Sequence, residues 1–328
     1  MKVKQSTPYT TAIDQMDDYA MQSIPYFFLF DFECQKPIVF PLSELPSDVW
    51  IDTPIYSNKS SHPSADVINL EPSPIALDDY RIGYNKVIKS INYGNSYLTN
   101  LTYATELVNF GYDLETIYHS AVAKYKLKYC NEFVVFSPEP FIKIDNDHIS
   151  TYPMKGTRKL STLMDGKHLL DDPKEQAEHA TIVDLMRNDL SQVSKSVTVE
   201  DYRYMQIIKS QEQELFQTSS KISGKLTEAY RGKHGSIIDQ LLPAGSISGA
   251  PKQSTLALIT SAEQGSRGYY TGVFGVYDGH QMVSSVLIRY IEHLDDKYYF
   301  RSGGGITSRS KCAEEYHELL HKIYVPIH

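Results

Sequence analysis

The chain has 328 residues, 41% of them hydrophobic, which is enough for a large packed core in one domain or two. Lysine and arginine total 32 against 40 aspartates and glutamates, and the formal charge of −8 excludes a general nucleic-acid or anionic-membrane surface. Cys34, Cys130 and Cys312 are too few and too widely spaced for a disulfide framework or a zinc site, and they point to a reducing cytoplasm. The first twenty residues carry charges where a signal peptide needs an apolar core, and no run approaches the ~20 apolar residues of a membrane helix. The expectation is a soluble, unsecreted, cytoplasmic protein.

In chain order, YFFLFDF (26–32) and KPIVFPL (36–42) read as two early strands. The Ser-, Pro- and Asn-rich residues 52–75 read as a loop or linker, which makes 1–75 a short N-terminal region on the same core as a 76–328 domain. Helical spacing runs from Asp79 to Asn92 and stops before Gly94, where a left-handed cap fits. SYLTNLTYATEL then turns to strand-like alternation. Residues 132–152 contain EFVVF, PFIKI and HISTY, separated by Ser-Pro-Glu-Pro and Asp-Asn-Asp, the pattern of an antiparallel meander. A helix is expected from Asp172-Pro173, a cap followed by proline in the first turn. Residues 268–292 read as a hairpin around Asp278-Gly279, YYFRSGGGI as a strand running into glycines, and AEEYHELLHKI as a last helix capped by Ser310. Strands in antiparallel groups with helices between them predict an α+β class.

Four features have chemical potential. Lys155, in PMKGT, follows a strand-like run; a lysine held near a cation or in an apolar pocket loses its proton and becomes a nucleophile. Glu175 and Glu178 are three apart on one helix, and Glu315 and Glu318 repeat the relation on the last. Such pairs meeting across a groove suit magnesium, but solvated helix faces have the same spacing, and Glu175 could close a capping box onto Asp172. Gly245, Gly249 and Gly303–Gly305 would let backbone N–H groups approach a carboxylate, although glycine clusters are turns more often than sites. Arg289 and Lys322 could recognise anionic groups, with an ordinary i,i+4 ion pair to Glu318 as the bland alternative for Lys322.

PMKGT, EHATIVDLMRNDL, LLPAGSISGAPK, GYYTGVFG and GGGITSRSKCAEEYHELLHK occur in the order found in chorismate-utilising enzymes, and the chain resembles that family over roughly residues 79–326. The resemblance implies antiparallel sheets packed as a sandwich with helices on the outer faces, and a chorismate-binding catalytic domain over 76–328. The lysine form of the PMKGT motif resembles aminodeoxychorismate synthase component I, which makes 4-amino-4-deoxychorismate on the way to 4-aminobenzoate and folate. In that subgroup the lysine attacks C2 of chorismate, the C4 hydroxyl leaves, and ammonia adds at C4.

By the same resemblance Glu139 is the acid that protonates the leaving hydroxyl, although by itself it reads as a turn residue. Glu178 and Glu318 would hold Mg2+, with Glu175 and Glu315 on its waters. Ser246, Tyr270, Arg289, Gly303, Gly304, Gly305 and Lys322 would contact chorismate. A lowered Lys155 pKa, through magnesium and burial, is expected. Two positions depart from the family. Gln217 stands where a histidine is usual, which disfavours loss of pyruvate. Leu98 stands where isochorismate and salicylate synthases carry a lysine that activates water and where the amine-adding enzymes often carry glutamine. The region before residue 79 is much shorter than in long members, so an effector pocket built there would be missing. The implied partner is a glutamine amidotransferase subunit supplying ammonia. The alternatives are anthranilate synthase component I and a catalytically silent scaffold that binds chorismate or the amidotransferase.

Overall fold

A computed structural model describes residues 7–59, 68–159, 163–209 and 214–327. All five residues of Tyr26–Phe30 are buried, because both faces of this strand are covered. Period two divides them: Tyr26, Phe28 and Phe30 enter a core under helices, while Phe27 and Leu29 enter a second core shared with another sheet. Phe133–Ser137 is divided in the same way, with Phe133 and Val135 in that shared layer and Val134 and Phe136 on the opposite face. At roughly 1.5–3 kcal/mol per fully buried large apolar side chain, these two strands alone pin the sheets face to face.

Among the described residues the first sheet has nine strands. From edge to edge they are Met154–Lys159, Glu214–Leu226, His148–Thr151, Pro140–Asp145, Gln281–Val286, Val273–Tyr277, Tyr26–Phe30 and Ile38–Pro41, with Ser194–Lys209 paired along Glu214–Leu226. The second sheet has eight: Gly249–Ala250, Leu98–Leu107, Lys297–Ile306, Tyr290–Leu294, Phe133–Ser137, Tyr125–Tyr129 and Val49–Asp52, with Pro72–Ser73 beside Leu98–Leu107. Every pairing is antiparallel. Helices Tyr9–Met21, Pro173–Ser191 and His234–Leu241 cover the outer face of the first sheet. Leu77–Asn92, Leu114–Ser120 and Cys312–His321 cover that of the second. The class is α+β, an antiparallel sandwich with helices outside, as the sequence implied.

The predicted helix at 79–92 is Leu77–Asn92, and Gly94 takes the left-handed conformation (φ 81°) that closes it. Asp172 caps Pro173–Ser191 by accepting from the Glu175 amide at 3.3 Å. Ser310 is not the cap of the last helix: that helix begins at Cys312 after Lys311, and the Ser310 hydroxyl accepts from the Thr307 amide instead. Of the predicted loop 52–75, residues 60–67 lie outside the described residues, and Pro72–Ser73 forms a short strand.

The predicted meander over 132–152 is divided. Phe133–Ser137 belongs to the second sheet and Pro140–Asp145 to the first, so Ser-Pro-Glu-Pro is a crossing between sheets. The hairpin around Asp278-Gly279 is present, with Gly279 at φ 100° and the Asp278 carboxylate accepting from the His280 and Gln281 amides. The chain then crosses back at 287–289 to reach Tyr290–Leu294. Glu139 and Arg289 ride on these two crossings.

Candidate functional site

Lys155 lies on the edge strand Met154–Lys159, where the pairing with Glu214–Leu226 shifts register across Gly156. Thr218 anchors the bulge by donating to the Lys155 carbonyl. The Lys155 ammonium forms an ion pair with Glu178 at 2.9 Å, with the lysine side chain 29% exposed. Glu175, one helical turn before Glu178, lies over Gly156: a Cβ there would fall 2.5 Å from Glu175 Oε2. With φ at 78°, Gly156 is glycine for both conformational and steric reasons.

From the other sheet, Lys297–Ile306 brings Gly303, Gly304 and Gly305 opposite Thr102, Leu101 and Asn100. A Cβ on Gly304 would lie 3.5 Å from Glu315 Oε2, 3.5 Å from Glu318 Oε1 and 3.7 Å from Lys322 Nζ. Lys322 pairs with Glu318 at 2.7 Å and also donates to the Gly303 carbonyl at 2.8 Å. The i,i+4 pair is therefore present, and it is tied to the glycine strand as well. Since Gly303 directs its carbonyl to this side, strand alternation turns the Gly303 and Gly305 amides the same way, while Gly304 faces Leu101 in the ladder.

Glu139 joins the two halves. Burial holds its carboxyl above the ordinary range, against the opposing pull of a hydrogen bond with Ser246 and of the Lys322, Arg289 and Lys155 charges. A buried carboxyl whose proton affinity is raised beside three cations is placed as a general acid would be. Arg289 adopts a left-handed backbone (φ 55°) and stacks on Tyr324, 4.9 Å from guanidinium carbon to ring centroid. Burial raises the phenol of Tyr270 to about 12, with Arg267 and Arg289 pulling the other way. The neighbouring Thr271 (φ 61°) is a β-branched residue in a conformation it rarely takes, a strain the surrounding packing must hold.

With the protein's own groups alone, the Lys155 pKa moves opposite to the direction expected with magnesium. Burial lowers it, but Glu178, Glu318, the hydrogen bond to Glu178 and Glu175 together outweigh burial, and the net direction is upward. The carboxylates that would bind a cation are the ones that hold the ammonium. Lys322 shifts down, because burial there exceeds what Glu318 returns, with Lys155 and Arg289 adding to the depression.

Gly245 and Gly249 admit the protein's own groups. A Cβ on Gly245 would meet Asp189 Oδ2 at 2.7 Å, and Gly249 (φ 130°) lies against the Leu98 carbonyl. Leu98 Cδ1 lies 2.9 Å from where a Gly305 Cβ would be, and its side chain packs against the helix-covered core of the first sheet. Two buried ion pairs behind the site escaped the sequence reading: Asp189–Lys252 at 3.1 Å and Arg267–Glu263 at 2.6 Å. The second carries an i,i+4 signal that could have revealed it.

No three histidine, cysteine or carboxylate donors converge to hold a metal among the described residues. The donor chemistry nonetheless fits magnesium. Glu178, Glu318 and Glu175 all act on the Lys155 ammonium, Glu318 also pairs with Lys322, and Glu315 and Glu318 both lie 3.5 Å from where a Gly304 Cβ would be, all of them oxygen donors.

The chain belongs to the chorismate binding enzyme family, whose profile matches residues 14–328. It is 47% identical over 317 residues, 96% of each chain, to an "Uncharacterized PabA-like protein" of Haemophilus influenzae. It is 37% identical over 200 residues to anthranilate synthase component 1 1 of Haloarcula marismortui, a match spanning 58% of this chain and 40% of that one. Among solved structures, the menaquinone-specific isochorismate synthase MenF of Escherichia coli superposes with a TM-score of 0.73 at 16% identity, covering 98% of this chain and 82% of its own. No helix among the described residues is long and apolar enough to cross a membrane.

Proposed function

We propose that this chorismate-binding enzyme is an aminodeoxychorismate synthase component I, converting chorismate and ammonia to 4-amino-4-deoxychorismate and water. The observation that carries the reading is a lysine at position 155, paired with Glu178 and within the field of the buried Glu139 carboxyl. In the proposed sequence Lys155 Nζ bonds to C2 of the ring. The ring double bonds shift, and the C4–O bond breaks as Glu139 hands its proton to the departing hydroxyl. Ammonia then adds at C4, the double bonds return, and the Nζ–C2 bond breaks. Ser246 orients the acid, while Arg289, Lys322 and the outward Gly303 and Gly305 amides suit the two carboxylates of chorismate.

Glu178 and Glu318 would hold Mg2+, with Glu175 and Glu315 on its waters, and the bound ion would supply positive charge to a substrate carboxylate. Lys155 must lose its proton and its partner Glu178 before it can attack. Leu98 disfavours an isochorismate synthase reading, since an aliphatic side chain beside Gly305 cannot activate water. Gln217 cannot carry a proton near neutral pH, which supports retention of the enolpyruvyl group. A glutamine amidotransferase subunit is the proposed ammonia source. Burial raises the Cys34 and Cys130 thiols to about 12, so neither suits glutamine hydrolysis in this chain.

The test is incubation with chorismate, magnesium and ammonium, followed by chromatography and mass measurement of the amine. The expected product is 4-amino-4-deoxychorismate, with Lys155→Ala slower by roughly two or more orders of magnitude. Fluorescent anthranilate would overturn the reading in favour of anthranilate synthase, and absence of turnover would favour a silent scaffold.

A further inference from the structure

We infer that Arg267, whose side-chain donors are all taken by the protein's own acceptors, is the positioning residue that sets the walls of the site relative to one another. The inference rests on reading Ser246, Tyr270, Gly303 and Gly305 as substrate contacts. The Arg267 side chain is 1% exposed, and its five N–H groups are matched by five acceptor contacts. Nε and one Nη2 hydrogen go to the two oxygens of Glu263, at 2.9 and 2.6 Å. The rest go to the Ile247 carbonyl at 3.0 Å, the Thr271 hydroxyl at 3.2 Å and the Asn100 carbonyl at 2.7 Å. The guanidinium also lies 4.4 Å from the ring centroid of Phe32.

Each acceptor is one step from a proposed contact. Ile247 follows Ser246, and Thr271 follows Tyr270 in its strained conformation. Asn100 is the cross-strand partner of Gly305. Glu263 adds a fourth tie by accepting from the Thr102 amide at 2.8 Å, and Thr102 is the partner of Gly303. These backbone groups of Asn100 and Thr102 point away from the glycine strand, so the ion pair grips the back of the ladder whose front offers the Gly303 and Gly305 amides. Three segments far apart in sequence thus meet at one rigid planar fork. A lysine, with three donors on a flexible stem, could not hold them in that arrangement. A buried ion pair is weak evidence for stability, because well-packed apolar residues often replace one without loss, which leaves geometry as the demand it meets here.

The test uses Arg267→Lys, which keeps the charge and loses the fork, and the double variant Arg267→Met/Glu263→Leu, which removes both buried charges. Near-ultraviolet circular dichroism gives the folded fraction, and kcat and KM for chorismate with ammonium are expressed per folded molecule. Both variants are expected to fold and to lose on the order of 10²-fold in kcat/KM, through a lower kcat as well as a higher KM, with Arg267→Lys retaining more. Either variant folded, with both constants within about twofold of wild type, overturns the inference and leaves the proposed function standing. If the double variant does not fold, Arg267→Lys decides alone; if neither folds, Arg267 is a stability residue and the inference is wrong. Wild-type protein inert toward chorismate removes the functional reading itself, and this inference with it.

Discussion

At position 139 a short turn places a carboxyl beside Ser246 and within the fields of Lys155, Arg289 and Lys322, yet burial keeps its proton affinity above the usual range. An acid catalyst works only while protonated, so the rate should fall as pH rises through the raised Glu139 pKa, forming the alkaline limb of the profile. Glu139→Gln should lower kcat by about 10²–10⁴-fold and abolish that limb, as read from a pH–rate series on both proteins. A variant with wild-type rate and profile would show that Glu139 is only a turn residue. This residue was legible in sequence through the order of the motifs. Its position on an inter-sheet crossing was not, because Ser-Pro-Glu-Pro looks the same whether it closes a hairpin or changes sheet. The upward shift at Lys155 was also hidden, since it depends on which carboxylates the helices bring near it.

Among elements, those with strong apolar runs were readable and those that draw their stability from neighbours were not. YFFLF and FVVFS announce strands buried on both faces. The helix Tyr9–Met21 went unread although Ala12, Met16 and Ala20 recur every four residues, because its polar residues also fit a disordered start. The antiparallel pair Ser194–Lys209 and Glu214–Leu226 shifts register three times along its length, which erases alternation. Lys126 and Lys128, on the strand Tyr125–Tyr129, are buried. Lys126 donates to the Tyr118 and Ala121 carbonyls at the end of Leu114–Ser120, and Lys128 lies over Trp50. The first helix also makes a specific joint: Asp17 accepts from the amide and hydroxyl of Ser236 at 3.0 and 2.5 Å, and a Cβ on Gly235 would collide with the Ile13 carbonyl. Gly235→Ala should push the two helices apart and cost about 1–3 kcal/mol, seen as a lower urea midpoint at unchanged slope. An unchanged midpoint would mean that this contact yields without strain.

For the whole molecule, the sandwich buries titratable groups that make stability depend on pH. His234, hydrogen-bonded to Tyr26 at 3.1 Å, is held by burial at a pKa of about 4. The unfolded chain takes up this proton below about pH 6.5 and the folded one only near 4, so the contribution is complete above 6.5 and is lost as pH falls through that window. An upper figure is about 3 kcal/mol for His234, and His179 shifts in the same direction. Denaturant melts between pH 7.5 and 4 should show the decline, and His234→Gln should flatten it; equal slopes in the two proteins would contradict the assignment.

The sandwich also separates what folding requires from what the proposed chemistry requires. Residue 155 belongs to a rim strand with one hydrogen-bonded neighbour, and its side chain enters neither the layer between the sheets nor the helix-covered faces. Exchanging that amine for a smaller group would remove no side chain from the layer between the sheets or from the helix-covered core of the first sheet. Chemical outcome can therefore diverge by point substitution on a framework that need not be rebuilt each time.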